Sequence, residues 1–186
     1  MKTEKLKEAG VALLFSCLLG LVACQPQSPE GTVAEVQRVV SGQTIEVLIP
    51  SQAPATIERV RLLDIAAPDL QQQPWGVAAK ELLAALLGDQ QGTQLVLQSV
   101  VLQWEGAEDR FGRRLAYVWR DNTLINEELV AQGYALADVR SDSPNSQRLI
   151  RAQETARIMG YGIWNPENPL RLTPQEFRSQ NNGSKS

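Results

Sequence analysis

The sequence predicts an α+β fold that is mainly β, a five-stranded barrel carrying about three helices. Five short β-prone stretches lie between residues 32 and 120, separated by Gly or Pro turns. One helical segment interrupts them after the third stretch, and two more follow the fifth. The chain has 186 residues, enough for one core with additional segments at its ends.

Those additional segments come first. Lys2, Lys5 and Lys7 precede an apolar run from Val11 to Ala23 that stops at Cys24. A basic start and a short apolar stretch read as a secretion signal, since a membrane-spanning helix needs about 20 apolar residues. The order Leu21-Val22-Ala23-Cys24 resembles the bacterial lipobox, which implies cleavage before Cys24 and acylation of that cysteine. An ordinary signal peptide with an incidental Cys24 is the alternative. Residues 1–23 are therefore expected to be removed. Residues 24–31, rich in Pro, Gln and Ser, would tether the domain to the extracytoplasmic or periplasmic side of a membrane. Cys17 falls in the leader, so no internal disulfide is expected, and the domain must rest on its hydrophobic core.

Thr32 to Val40 and Gln43 to Leu48 read as a hairpin turning at Gly42. Pro50 and Pro54 mark the next turn, and Thr56 to Ile65 is the third strand. Alternation along it places Arg61, Leu63 and Ile65 on one face and Leu62, Asp64 and Ala66 on the other. Pro68 ends that ladder, having no N–H to donate. Pro74-Trp75-Gly76 opens a helix over Val77 to Leu87, stopped by Gly88.

Gln94 to Gln103 is expected as the fourth strand, with Leu95, Leu97 and Val101 as candidates for burial. Arg113 to Arg120 is the fifth. Asn126 to Gln132 and Ser146 to Met159 are helical, the latter with Leu149, Ala152, Ala156 and Ile158 on its apolar side. Ile163-Trp164 is expected to dock on the body. Residues 165–186 are polar and expected to form a disordered tail. This order of strands and helices fits an OB-type barrel over residues 32–164.

Composition excludes several chemistries. There is no histidine, so Ser-His-Asp triads, Cys-His nucleophiles and histidine metal sites are absent. The net charge is -3, and loss of three lysines and two glutamates with the leader makes it one unit more negative. That balance argues against tight nonspecific nucleic-acid binding, although a local basic groove stays open.

Six motifs now stand in order: Ser41-Gly42-Gln43-Thr44; Arg61 to Asp69; Pro74-Trp75-Gly76; Asp109 to Tyr117, which contains Arg110-Phe111-Gly112-Arg113; Asn126 to Gly133; and Ala156-Arg157 running into Gly160 to Trp164. Their sequence resembles the staphylococcal-type thermonuclease family over residues 32–164. The resemblance implies a phosphodiesterase fold acting on DNA and RNA. In it aspartates hold a calcium ion, a glutamate activates water and two arginines stabilise the phosphoryl charge.

Arg61 and Arg113 match the two arginines, whose forked donors suit phosphate. Read without the family, they are more readily structural ion-pair partners across the barrel. Asp69 matches the glutamate with a stem one methylene shorter, which withdraws the carboxylate by about 1.5 Å, and displacements near 1 Å can cost about a hundredfold in rate.

Gln43 stands where the resemblance implies a metal-binding aspartate, and Ala66 stands in place of the second. Thr44 is retained as a degenerate metal-site residue. Calcium affinity depends on how many carboxylates surround the ion, so weak or absent calcium binding is expected. Asp64, about 7 Å back along the strand, is the candidate substitute ligand. Its alternative is a solvated polar residue on the outer face. Arg110 and Phe111 are candidates for substrate binding, Phe111 either stacking on a base or packing its loop.

Two functions follow. One is a membrane-tethered, weakened or inactive nuclease serving as a nucleic-acid or phosphate-ligand binding module, expected as a monomer. The other is an active metal-dependent endonuclease using Arg61, Arg113 and Asp69.

Overall fold

The computed structural model describes residues 29–183 except 92, 93, 107 and 141. The leader and Cys24 lie outside the described residues. Strands β1 (Thr32–Ser41) and β2 (Thr44–Leu48) form the expected hairpin, with Ser41 opposite Thr44 across a two-residue turn. Gly42 is required at that turn because a Cβ would sit 2.6 Å from the Ala79 Cβ. Such contact is closer than packed carbons approach. The hairpin tip is thereby pressed against the first helix.

Strand β3 (Ile57–Leu62) pairs with β2, Arg61 opposite Thr44. A short β4 (Ile65–Ala66) follows, then α1 (Trp75–Leu87) and a small hairpin of β5 (Gly88–Gln91) and β6 (Gln94–Leu97). Strand β7 (Ser99–Trp104) pairs with β1, and β8 (Arg114–Arg120) pairs with β7. Strand β8 also runs parallel to β3, Leu115 opposite Arg61, and this pairing closes a five-stranded barrel. Beyond it lie β9 (Thr123–Leu124), α2 (Ile125–Ala131), β10 (Leu136–Ala137), α3 (Pro144–Met159) and a one-turn 3-10 segment over Gly162–Trp164. Ile45, Val60, Leu62, Leu102, Ala116 and Val118 fill the barrel, and Leu83, Leu87, Leu129 and Leu149 extend the same core under the helices. Each large aliphatic side chain buried there contributes about 1.5–3 kcal/mol.

Four expectations need correction. The third strand ends at Leu62, because the chain turns at Leu63–Asp64 with Asp64 at a φ of 55°. Aspartate tolerates this left-handed conformation better than most residues. The turn is held by Asn126 Nδ2 donating to the Leu63 carbonyl at 2.8 Å and by Asp138 N–H donating to the Asp64 carbonyl at 2.8 Å. Strand alternation therefore does not run from Leu62 to Ala66.

The fourth strand breaks at Gln98, whose N–H bonds the Leu87 carbonyl at the end of α1. A break of one residue reverses the faces, so Val100 and Leu102 are buried in place of Val101. Ile158 is 82% exposed, since α3 buries only the side bearing Ser146, Leu149 and Ala156. The polar C-terminal segment is also ordered among the described residues, ending in α4 (Pro174–Gly183), a fourth helix the sequence reading did not expect.

That last helix has a local cause. Thr173 Oγ1 accepts the Glu176 N–H at 3.2 Å while Glu176 Oε2 accepts the Thr173 N–H at 2.8 Å, a reciprocal cap of the first turn. Upstream, Leu170 N–H bonds the carbonyl of buried Ile163 at 2.9 Å.

Candidate active site

The site lies where the β1–β2 turn, the end of β3 and the start of β8 meet. Register brings Thr44 beside Arg61 and Arg61 beside Leu115. Arg61 Nη2 donates to the Ile65 carbonyl at 3.1 Å, which folds the guanidinium over the 63–64 turn. Burial pushes the Arg61 guanidinium below its ordinary value, and the positive field of Arg113 adds to that shift. Arg61 remains cationic, since a guanidinium is not deprotonated in a protein. With Asp109 paired to Arg113, the two guanidiniums and that carboxylate together carry one net positive charge.

Arg113 is oriented by a residue the sequence reading passed over. Asp109 Oδ2 accepts from Arg113 Nε at 2.8 Å and lies 2.6 Å from Nη2. Asp109 Oδ1 accepts the N–H groups of Phe111 at 2.9 Å and Arg113 at 3.1 Å. Burial pushes the Asp109 carboxyl up, but the Arg113 side chain and these two N–H groups outweigh it and hold the carboxyl below its usual range. The available signal was an aspartate opening a glycine-containing loop, with its carboxylate free to bond main chain two residues on.

Phe111 is 66% exposed at the tip of this loop, with Arg110 at 4.8 Å and Arg113 at 5.2 Å from its ring centre. The ring is not packed into the core. Both guanidiniums lie within cation–π range of it.

The residues offered for a metal do not fit calcium. Gln43 Oε1 accepts the Ala67 N–H at 2.9 Å and offers at most one neutral oxygen. Ala66 is 7% exposed and brings only a methyl group. Thr44 Oγ1 accepts from Arg113 Nη1 at 3.2 Å, so a cation already faces it.

Asp64 is not brought to this place as a substitute ligand. It is 3% exposed, and its Oδ2 accepts from Tyr117 at 2.6 Å and Ser146 at 3.0 Å. A buried carboxylate needs such donors to offset its desolvation, and here they come from β8 and α3. It is not a solvated outer-face residue either. Among the described residues, no group of three or more Asp, Glu or Cys side chains is arranged to hold a metal ion.

Asp69 lies in the loop before α1, where its Oδ1 accepts the Gln71 N–H at 3.0 Å. Its own N–H donates to Gln72 Oε1 at 2.9 Å. A groove of about 460 Å³ on another wall, lined by Gln103, Trp119, Asn145 and Arg148, includes none of Arg61, Asp69 and Arg113.

An OB-type barrel with two guanidiniums set at the edge of strands β3 and β8 defines a nuclease-type domain. Residues 59–166 match the profile of the family described as Staphylococcal nuclease homologue. The chain is 31% identical over 157 residues to Protein ParB of Escherichia coli, covering 80% of both chains. It is 30% identical over 168 residues to an uncharacterized endonuclease of Haemophilus influenzae, covering 90% of this chain and 85% of that one. Against the thermonuclease of Staphylococcus hyicus it is 29% identical over 137 residues, covering 70% and 74%. The chain belongs to the staphylococcal nuclease family, whose members are calcium-dependent in general.

Proposed function

We propose that this chain is a phosphate-binding module on a nuclease fold, with phosphodiester hydrolysis lost or much weakened. The observation that carries this reading is the Gln43–Ala67 hydrogen bond: the oxygen standing in for a metal-binding carboxylate is neutral and is already bonded to the main chain. With Ala66 beside it, the position lacks the negative charge that sets calcium affinity. Arg61 and Arg113 remain, and their forks suit a phosphate from nucleic acid or a smaller phosphate ligand. The shared field of these two groups favours the endonuclease reading as the second choice.

One set of assays separates the readings. The purified chain is incubated with plasmid and with single-stranded DNA, with calcium, magnesium or manganese raised to about tenfold above the millimolar range of weak sites. No cleavage is expected from the wild type, together with binding of a DNA oligonucleotide that Arg113→Ala weakens. Metal-dependent cleavage that Arg113→Ala abolishes overturns the binding-module reading.

We further propose that acylated Cys24 holds the domain on the extracytoplasmic face of a membrane. The motif Leu21-Val22-Ala23-Cys24 supports this. Metabolic labelling with a fatty acid should mark the wild type and not Cys24→Ser, which should leave the membrane fraction. A labelled Cys24→Ser protein would sink the proposal.

A further inference from the structure

The loop that carries Asp69 is tied to a part of the chain lying beyond the family match. Gln72 is 7% exposed, and its amide bonds in two directions. Oε1 accepts the Asp69 N–H at 2.9 Å, and Nε2 donates to the carbonyl of Leu172, also at 2.9 Å and 100 residues away in sequence. Only this orientation satisfies both partners, because an N–H can only donate and a carbonyl can only accept.

The rest of Asp69 is held locally. Its carbonyl accepts the Gln72 N–H at 2.8 Å, its Oδ1 accepts the Gln71 N–H, and a Cβ on Gly76 would lie 1.9 Å from its carbonyl oxygen. The loop is therefore packed against the start of α1, and the Gln72 amide links it to the C-terminal segment. That segment is tied to the body by the Leu170–Ile163 bond, and the Thr173–Glu176 cap starts α4 within it.

We propose that Gln72 is a positioning residue for Asp69, and that residues 167–183 act through it as a built-in strap holding this loop. A shortened carboxylate depends on its main chain for placement, because its side chain has one fewer torsion with which to recover position. A side-chain amide is the group that can serve a donor on one side and an acceptor on the other. The strap is thus part of the architecture of the Asp69 loop and not an appended tail.

Backbone amide exchange and amide cross-peaks of the full chain test this. Gln72→Glu keeps the acceptor for Asp69 but sets an oxygen against the Leu172 carbonyl, and Gln72→Leu removes both bonds. In Gln72→Glu, exchange of the Leu170 and Phe177 amides is expected to rise about tenfold, as for loss of one hydrogen bond, with the Asp69 amide rising alongside. The Asp69 cross-peak should move in both variants while the core amides of Val60 and Leu62 keep their wild-type protection.

Faster exchange in the strap with an unchanged Asp69 amide overturns the proposal, as does no change in either. A uniform rise that includes Val60 and Leu62 also overturns it, since that would mean global destabilisation. Should Gln72→Leu fail to fold, Gln72→Glu decides alone. None of these outcomes depends on whether the Arg61 and Arg113 site binds phosphate.

Discussion

Gln43 Oε1 accepts the main-chain N–H of Ala67 at 2.9 Å, so a neutral amide joins the β1–β2 turn to the chain just past β4. Family resemblance implies a cation as the link between these two segments. Here a hydrogen bond between a side-chain amide and the main chain spans them.

Removing it should cost stability directly. Gln43→Ala leaves the buried Ala67 N–H without its partner, which is expected to destabilise the domain by about 1–3 kcal/mol. Urea unfolding should show the midpoint falling with little change in slope. A midpoint equal to wild type would show that the bond contributes nothing net.

Calcium should leave the wild type indifferent. Millimolar calcium is expected to produce no rise in Tm, because a ligand stabilises only what it binds. In Gln43→Asp/Ala66→Asp, which supplies two carboxylates at the same place, calcium should raise Tm measurably. DNA cleavage by that variant would show in addition that the arginine geometry is still competent.

Tyr117 carries an alkaline signature. Burial first, and then its hydrogen bond to Asp64, push the phenol up to about 12. A group that holds its proton more tightly when folded contributes stability below the unfolded pKa near 10, and that contribution is lost as pH rises towards 12. Wild-type stability should therefore fall between pH 10 and 12. Tyr117→Phe should lack this component of the slope and should be weaker at neutral pH by about 1–3 kcal/mol, because Asp64 loses a donor.

Asp109 carries the opposite signature. Its depressed carboxyl contributes stability above the unfolded pKa of about 3.9, and that contribution disappears as pH falls through the folded value. Asp109→Asn keeps an oxygen for the Phe111 and Arg113 N–H groups but loses the charge that pairs with Arg113. It is expected to lose about 1 kcal/mol or less at neutral pH and to be less sensitive to acid than wild type. The Arg113 guanidinium, freed from its partner, should then bind a DNA oligonucleotide with altered affinity in the same titration used for Arg113→Ala.

By itself the sequence determined the barrel, its hairpin turn at Gly42, three helices expected over residues 77–87, 126–132 and 146–159, and the arginines at the edge of β3 and β8. These features are written in patterns a few residues long: alternation in strands, helical spacing and turn residues where the chain reverses. Tertiary structure decided the rest. It turned the chain at Asp64 and buried that carboxylate under Tyr117 and Ser146, 53 and 82 residues away. It spent the Gln43 oxygen on Ala67, and it tied Gln72 to Leu172 across 100 residues. The polar composition of the C-terminal segment pointed to disorder because composition counts apolar residues and does not see a reciprocal cap or a distant amide. A hydrogen bond between remote segments leaves no local period in the chain, so the fold was legible before the site was.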